Sequence, residues 1–405
     1  MKSLLTSLRR SVARPPRVKH ADTEQKNARP SNRFPGLKIR TALGVVITLA
    51  SLHSASPPTI AQGNKPTNRK ALVTGVWMHP SFFGVEKDKA IAKMRSTFDD
   101  YTRAGINTLI ILVKSTSGFV YFKSAIAPMD TAWHWDFFGT FLREAQKHKM
   151  AVHPWFCVFT EGAQTGQVKN HPEWLIRSVR QETTTVVNPV LPAVREYEIS
   201  LMTELVRRYQ VDWIHLDYIR FPCEPTEVFF SFDEATRTLF RGHAGQDPVE
   251  IRYKNSGSVM WSEWIEWNTG HVTKFVRELK QALKGAQRPI NLSAAVFPDA
   301  EKAKVLIGQD WAEWVREGLI EMLCPMLYVN QHGVFEKYLR RAVDIGRYHA
   351  LVCAGIGISA GHNQNTPPGV HQQIQIARDG KADGFVLFSS GSLTKEFLQE
   401  LMRKE

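Results

Sequence analysis

From Ala71 onward, short apolar runs rich in β-branched residues alternate with stretches whose apolar positions recur every three or four residues, and eight such pairs can be counted. The first pattern places side chains alternately on two faces of a strand; the second lines one face of a helix. The predicted strands are Val73–Met78, Thr108–Val113, Ala151–Cys157, Trp213–Tyr218, Asn291–Val296, Met322–Tyr328, Leu351–Ile356 and Gly384–Phe388. The amphipathic stretches fall near 88–104, 134–149, 194–209, 259–284, 309–318, 334–346, 368–380 and 392–404. Eight strand–helix alternations with no strand-only region predict an α/β fold, a (β/α)8 TIM barrel, as one domain over 71–405. Connections from helix to strand are short, as in Arg103–Asn107, whereas 158–193 and 219–258 are long strand-to-helix loops. Long loops on the carboxyl-terminal side are where such barrels carry function. An open doubly wound sheet would carry a glycine-rich phosphate turn after its first strand, and Trp77-Met-His-Pro80 is not one.

Within this frame the segment Val211–Pro222 is the most informative. Alternation puts Trp213, His215 and Asp217 on one face of the fourth strand, and Ile214, Leu216 and Tyr218 on the other. An acid on an inward face is costly unless it is used. Pro222 stops the ladder, so Asp217 is expected at the barrel mouth. The other strand ends supply Trp77 and His79, Lys114 and Ser115, His153 and Trp155, Phe297 and Asp299, and Tyr328 and Asn330. A rim of aromatic, imidazole and carboxyl groups suits a sugar, whose apolar ring faces stack on aromatics while polar tips bond its hydroxyls. Trp77, His79, His153, Trp155, His215, Arg220 and Tyr328 are therefore the candidate substrate-binding residues.

Hydrolysis of a glycosidic bond generally needs two carboxyl groups, one to protonate the leaving oxygen and one to act as nucleophile or base. Asp217 is the first candidate; Asp299 and Glu161 are candidate partners, with Glu224 after them. The competing reading leaves Asp299 and Glu161 as loop acids in water and Asp217 as a salt-bridge partner of Arg220. Asp212, at the opposite end of the strand, reads as a turn residue. His79, His153 and His215 raise a metallohydrolase, such as a deacetylase, as an alternative. The paired His-x-His of barrel metal sites is missing from the first strand, however, and no metal or other cofactor is expected. No Gly-x-Ser-x-Gly elbow marks a serine nucleophile. Trp261, Trp264 and Trp267, spaced by three, read as helix packing.

Charge changes the picture only at the amino terminus. The net charge is +13, but residues 1–70 hold 14 Lys and Arg against Asp22 and Glu24, which leaves 38 basic and 37 acidic residues for the rest. The body therefore gives no electrostatic case for nucleic acid. The leader has a basic stretch to Arg40, an apolar run from Thr41 to Leu52, and small residues beyond. That run is shorter than the roughly 20 residues a membrane span needs and suits a signal peptide, cut after Ala55 or Ala61. Export to the periplasm or the medium is expected, with membrane contact only through an uncleaved leader acting as an anchor. The four cysteines, Cys157, Cys223, Cys324 and Cys353, lack metal-ligand spacing and are expected as buried free thiols.

Taken together, the segments resemble the family-10-like glycosyl hydrolases, mostly secreted bacterial barrel proteins. The resemblance covers nearly all of 71–405. It is carried by Gly75-Val-Trp77, Ala104-Gly-Ile-Asn-Thr108, His153-Pro-Trp-Phe156, His171-Pro-Glu-Trp174, Asn188-Pro-Val-Leu-Pro192 with Val194-Arg-Glu-Tyr197, Val211–Pro222 and Cys324-Pro-Met-Leu-Tyr328. It implies a carbohydrate substrate, a polysaccharide or peptidoglycan glycan, and the fourth-strand acid Asp217 as the catalytic residue. Two departures stand out. Trp213 occupies a position where the family usually has Gly, and Trp267 is followed by Asn268-Thr269 where many members have two arginines. These departures keep a catalytically inert glycan-binding barrel as the alternative function.

Overall fold

The computed structural model describes residues 72–223, 230–251, 258–361 and 363–403. The leader, both cleavage positions and Glu224 lie outside the described residues. In chain order the elements are β1 (Val73–Met78), α1 (Lys87–Arg103), β2 (Thr108–Lys114), α2 (Phe137–Lys147), β3 (Ala151–Cys157), β4 (Leu175–Arg177), β5 (Thr183–Val187), α3 (Pro192–Arg208) and β6 (Trp213–Asp217). They continue with α4 (Glu234–Ala244), α5 (Val259–Leu283), β7 (Asn291–Val296), α6 (Ala300–Ile307), α7 (Trp311–Arg316), β8 (Met322–Pro325), α8 (His332–Gly346) and β9 (Leu351–Gly357). The last are β10 (Ser359–Ala360), β11 (Asn363–Gln364), α9 (Pro367–Asp379), β12 (Gly384–Phe388) and α10 (Lys395–Met402).

Eight of these strands close a barrel in the order β1-β12-β9-β8-β7-β6-β3-β2, and every pair is parallel. This is the expected (β/α)8 barrel, and its eight strands are those read from the apolar runs. Two ends differ. The sixth barrel strand stops at Pro325 instead of Tyr328, because proline donates nothing to the ladder. The fourth stops at Asp217, because Tyr218 turns to φ +49°, a left-handed conformation that ends pleating. The stretch read as one helix near 309–318 is preceded by a separate helix: Gly308, at φ +63°, ends α6, and α7 begins after it. The two long loops are also structured, one by the β4–β5 hairpin and the other by α4.

Alternation then sorts the side chains into two compartments. Ile214 and Leu216 point outward into the layer between sheet and helices, where each, fully buried, contributes about 1.5–3 kcal/mol. Trp77, Leu112, Trp155, Cys157, Ala295 and Cys324 point inward and fill the barrel, with Trp213 against them. The floor is aromatic and polar together: the Trp213 ring stacks on His153 with centroids 4.4 Å apart and planes 9° off parallel. A Trp in place of Gly thus fills the barrel floor and does not reach the mouth. Asn188, of the Asn188-Pro motif, is fully buried and pins the long loops, donating to Asp233 and Thr236 at 2.8 and 2.7 Å. Trp261 and Trp264 are buried in the helical layer, as their spacing suggested. The four cysteines are free thiols; three are buried, but Cys223 is exposed.

Candidate active site

The mouth of the barrel holds a cavity of about 420 Å³, within the roughly 300–1,000 Å³ usual for small-ligand sites. Its wall is aromatic, from Trp77, Tyr121, Trp155, Tyr218, Phe297, Tyr328 and Phe388. Its charged groups are Asp217 and Arg220, and no other carboxylate lines it among the described residues.

Asp217 is placed by strand geometry and held by its neighbour. It pairs with Cys157 across the β3–β6 ladder, also in the wall, and its Oδ1 accepts the Tyr218 backbone N–H at 2.7 Å. The left-handed turn at Tyr218 ends the ladder beside this bond. The carboxyl is 8% exposed. Burial pushes its pKa up to about 6, against the opposing pull of the Arg220 charge, the Tyr218 N–H and the nearby Trp155 indole. Desolvation wins because the carboxylate loses water on nearly all sides while its cation stands to one side.

Arg220 is sandwiched between rings, its guanidinium carbon 4.8 Å from the Tyr218 centroid and 5.1 Å from that of Phe297. It donates to the Phe221 carbonyl at 3.3 Å, and its buried Nε has no partner. Trp155 lies edge-on to His79 at 5.1 Å, and Tyr328 stacks on Phe388 at 5.2 Å. Burial lowers the pKa of His79, so its imidazole is neutral in the wall. Burial, then the Asp217 charge, raises the Tyr328 phenol.

Of the ten residues singled out in the sequence, six line this cavity: Trp77, His79, Trp155, Asp217, Arg220 and Tyr328. The other four lie elsewhere. His153 and His215 are buried deeper in the barrel, both bonded through Nδ1 to Ser293 Oγ at 2.9 Å. Trp77 Nε1 donates to His215 Nε2 at 3.1 Å. An indole only donates, so Nε2 of His215 accepts and its Nδ1 carries the proton given to Ser293 Oγ, while the Ser293 hydroxyl donates to the Ile214 carbonyl at 3.4 Å. Burial pushes the His153 pKa down to about 3. The two imidazoles are neutral members of an internal chain that is already bonded. With His79 alone of the three in the cavity wall, they do not converge, and no cluster of three or more metal-ligating side chains occurs among the described residues.

The two proposed partner acids are also elsewhere. Asp299 caps α6, accepting Lys302 N–H at 3.2 Å, a role worth about 1 kcal/mol. Glu161 is neither at the cavity nor in water: it is fully buried against Lys114, with Nζ to Oε1 at 2.8 Å. Sequence reasoning in turn passed over Tyr121 and Phe388, and it placed Tyr218 on the face opposite Asp217, whereas the left-handed turn at Tyr218 brings its ring into the cavity wall. Phe388 ends the eighth barrel strand, so carrying the strand-end rule past the sixth strand would have found it. Tyr121 comes from the loop after β2, where no strand rule applies. Burial, then Asp130, pushes its phenol up to about 12.

A closed parallel barrel, with Asp217 in an aromatic mouth, defines the class: a (β/α)8 TIM-barrel protein. More particularly, the chain belongs to the glycosyl hydrolase-like 10 family, whose model matches residues 72–366. Among curated relatives, glycosyl hydrolase YngK of Bacillus subtilis (strain 168) is 20% identical over 282 residues, covering 62% of this chain and 51% of the relative. Glycosyl hydrolase DigH of Escherichia coli (strain K12) is 21% identical over 319 residues, 68% of each chain. The chain thus spans about half the length of the B. subtilis relative. Among solved structures, the PgaB (BpsB) glycoside hydrolase domain from Bordetella bronchiseptica superposes with a TM-score of 0.64 at 12% identity, over 82% of this chain and 96% of that one. The β-amylase catalytic domain from Paenibacillus polymyxa gives 0.56 at 10% identity, over 80% and 94%. At such identities these two neighbours speak to the fold.

Proposed function

We propose that this protein is an exported glycoside hydrolase that cleaves a polysaccharide or peptidoglycan glycan, with Asp217 as the acid that protonates the leaving oxygen. One observation carries the reading: a buried carboxyl whose pKa is pushed up to about 6 faces an aromatic cavity at the mouth. A carboxyl of that kind keeps its proton up to about pH 6 and can donate it. In the reaction the Asp217 proton passes to the glycosidic oxygen, the C1–O electron pair leaves with that oxygen, and water adds to C1 and gives up a proton that restores the Asp217 acid. Trp155, Tyr218, Tyr328 and Phe388 would stack on sugar rings, and Arg220 would bond a hydroxyl or a charged substituent. The second carboxylate of a two-acid mechanism is not among the described residues lining the cavity.

That observation also favours a second reading, an inert barrel that binds a glycan through the same aromatic wall. Purified protein incubated with a panel of polysaccharides and peptide-free peptidoglycan strands separates the two. Release of reducing ends from any of them is expected. Saturable binding without release across the panel would establish the inert barrel instead.

A further inference from the structure

Glu161, set aside as a catalytic partner, belongs to a group of its own. Lys114, Glu161 and Glu198 are all fully buried, and Lys114 Nζ lies 2.8 Å from Glu161 Oε1 and 2.9 Å from Glu198 Oε1. The three protons of the ammonium are already placed, on the carbonyls of Cys157 (3.1 Å) and Val158 (2.7 Å) and on Glu198 Oε1. Both Glu161 oxygens and Glu198 Oε2 are left buried without a hydrogen-bond donor. Two ionised carboxylates beside one lysine would also leave a net buried charge of about −1, which costs several kcal/mol. One added proton removes the net charge and eases the second fault, since a protonated Glu198 is neutral and its hydroxyl can donate to one Glu161 oxygen.

We infer that Glu198 keeps a proton in the folded protein, and that the neutral triad it forms with Glu161 and Lys114 is a pH-sensitive latch beneath the barrel mouth. Its position follows from what it holds. Lys114 grips the end of β3, whose Val158 N–H donates to the Asp217 carbonyl at 2.8 Å. Glu161 lies between two loops that bond to each other, Gly162 N–H to the Thr116 carbonyl at 2.8 Å and Ala163 N–H to the Ser117 carbonyl at 3.1 Å. Ser115 and Thr116 line the cavity. Gly118, at φ +88°, is required there, because a Cβ would meet Glu161 Oε2 at 1.9 Å. The titratable and charged groups facing the pair are Lys114 of β2, Cys157 of β3 and Tyr197 of α3. The thiol and phenol are themselves pushed up by burial and stay neutral, so neither adds a compensating positive charge.

Burial raises the Glu198 carboxyl to about 8, and Lys114 only partly opposes it. The folded state therefore holds a proton that the unfolded chain releases near its ordinary pKa of about 4.3. The stability this gives is complete below that value, declines as pH rises, and is gone above about 8. The test compares the melting temperature of the whole protein with that of Glu198→Gln, which keeps the donor and cannot ionise, from pH 5.5 to 8.5. The wild type should lose about 3–5 °C relative to the variant across this range and level off above it. Parallel curves would overturn the latch. An independent reading needs no variant: infrared difference spectra of the native protein, taken from pH 6 to 9, should show a buried protonated carboxyl lost near pH 8, separate from the one lost near pH 6 from Asp217. A spectrum with no carboxyl lost near pH 8 would also overturn it. Neither measurement depends on glycan turnover, so the latch and the hydrolase reading fail separately.

Discussion

Asp217 and Glu161 are both acids buried at the carboxyl-terminal side of the same barrel, and they differ in what their oxygens face. Glu161 is enclosed with Lys114 and Glu198, 2.8 Å from an ammonium that is also fully buried. Asp217 has one oxygen tied to the Tyr218 N–H and sits in a cavity wall, with Arg220 as the charged neighbour. Both acids are buried, so burial does not by itself mark a catalyst. An open volume beside the carboxyl, large enough for a substrate, makes the difference.

The comparison breaks most sharply by substitution. Asp217→Asn should lower kcat/KM for glycan hydrolysis by about 10³-fold or more, as expected when an essential proton donor is lost. Glu161→Gln, if folded, should stay within about tenfold of the wild type, since it touches no lining residue by charge alone. A loss as large as that of Asp217→Asn would place Glu161 in the chemistry after all. Next in size is the pH profile. If Asp217 works protonated, kcat/KM falls as pH rises through about 6, and Arg220→Gln, which removes the charge that holds this pKa down, moves the limb up by about one pH unit. A limb rising with pH would make Asp217 a nucleophile or base instead.

Stability gives the smaller effects. Because the folded pKa of Asp217 is raised, its contribution is complete below about 3.9, lost as pH climbs to about 6, and unfavourable to folding at neutrality. Asp217→Asn should therefore stabilise the protein at pH 7 by on the order of 2 kcal/mol. The gain should nearly vanish at pH 4, which thermal melts at the two pH values would check. On the barrel floor, Ser293→Ala leaves the His215 and His153 ring nitrogens without their partner and should cost about 2 kcal/mol, with kcat/KM changed less than by any variant in the cavity.

The barrel was legible because its signal is repeated: eight apolar runs fall into place from periodicity alone, and an error of three residues at Pro325 or one at Asp217 leaves the topology intact. The site was legible at and near strand ends, as for Trp77, Trp155 and Asp217, and just past one for Tyr328. It was not legible where depth along a strand decides. His153 lies two residues before Trp155 on β3, and His215 two before Asp217 on β6, each on the same inward face as its neighbour. One pleat repeat, about 7 Å, moves them from the mouth to the interior. Glu161 and Asp299 come from loops, where sequence gives no direction, and the first is claimed by a lysine on another strand while the second caps its own helix. Tyr121 shows the converse, a loop residue brought to the cavity with no periodic signal.

The most direct measurement is the rate of reducing-end release by wild type and Asp217→Asn on the most readily cleaved glycan, with matched circular dichroism spectra and, for the variant, an unchanged or higher melting temperature. Loss of about 10³-fold or more in a variant at least as stable as the wild type would establish the acid at the mouth as the working group. Full activity in that variant would contradict the account, whatever else the cavity binds.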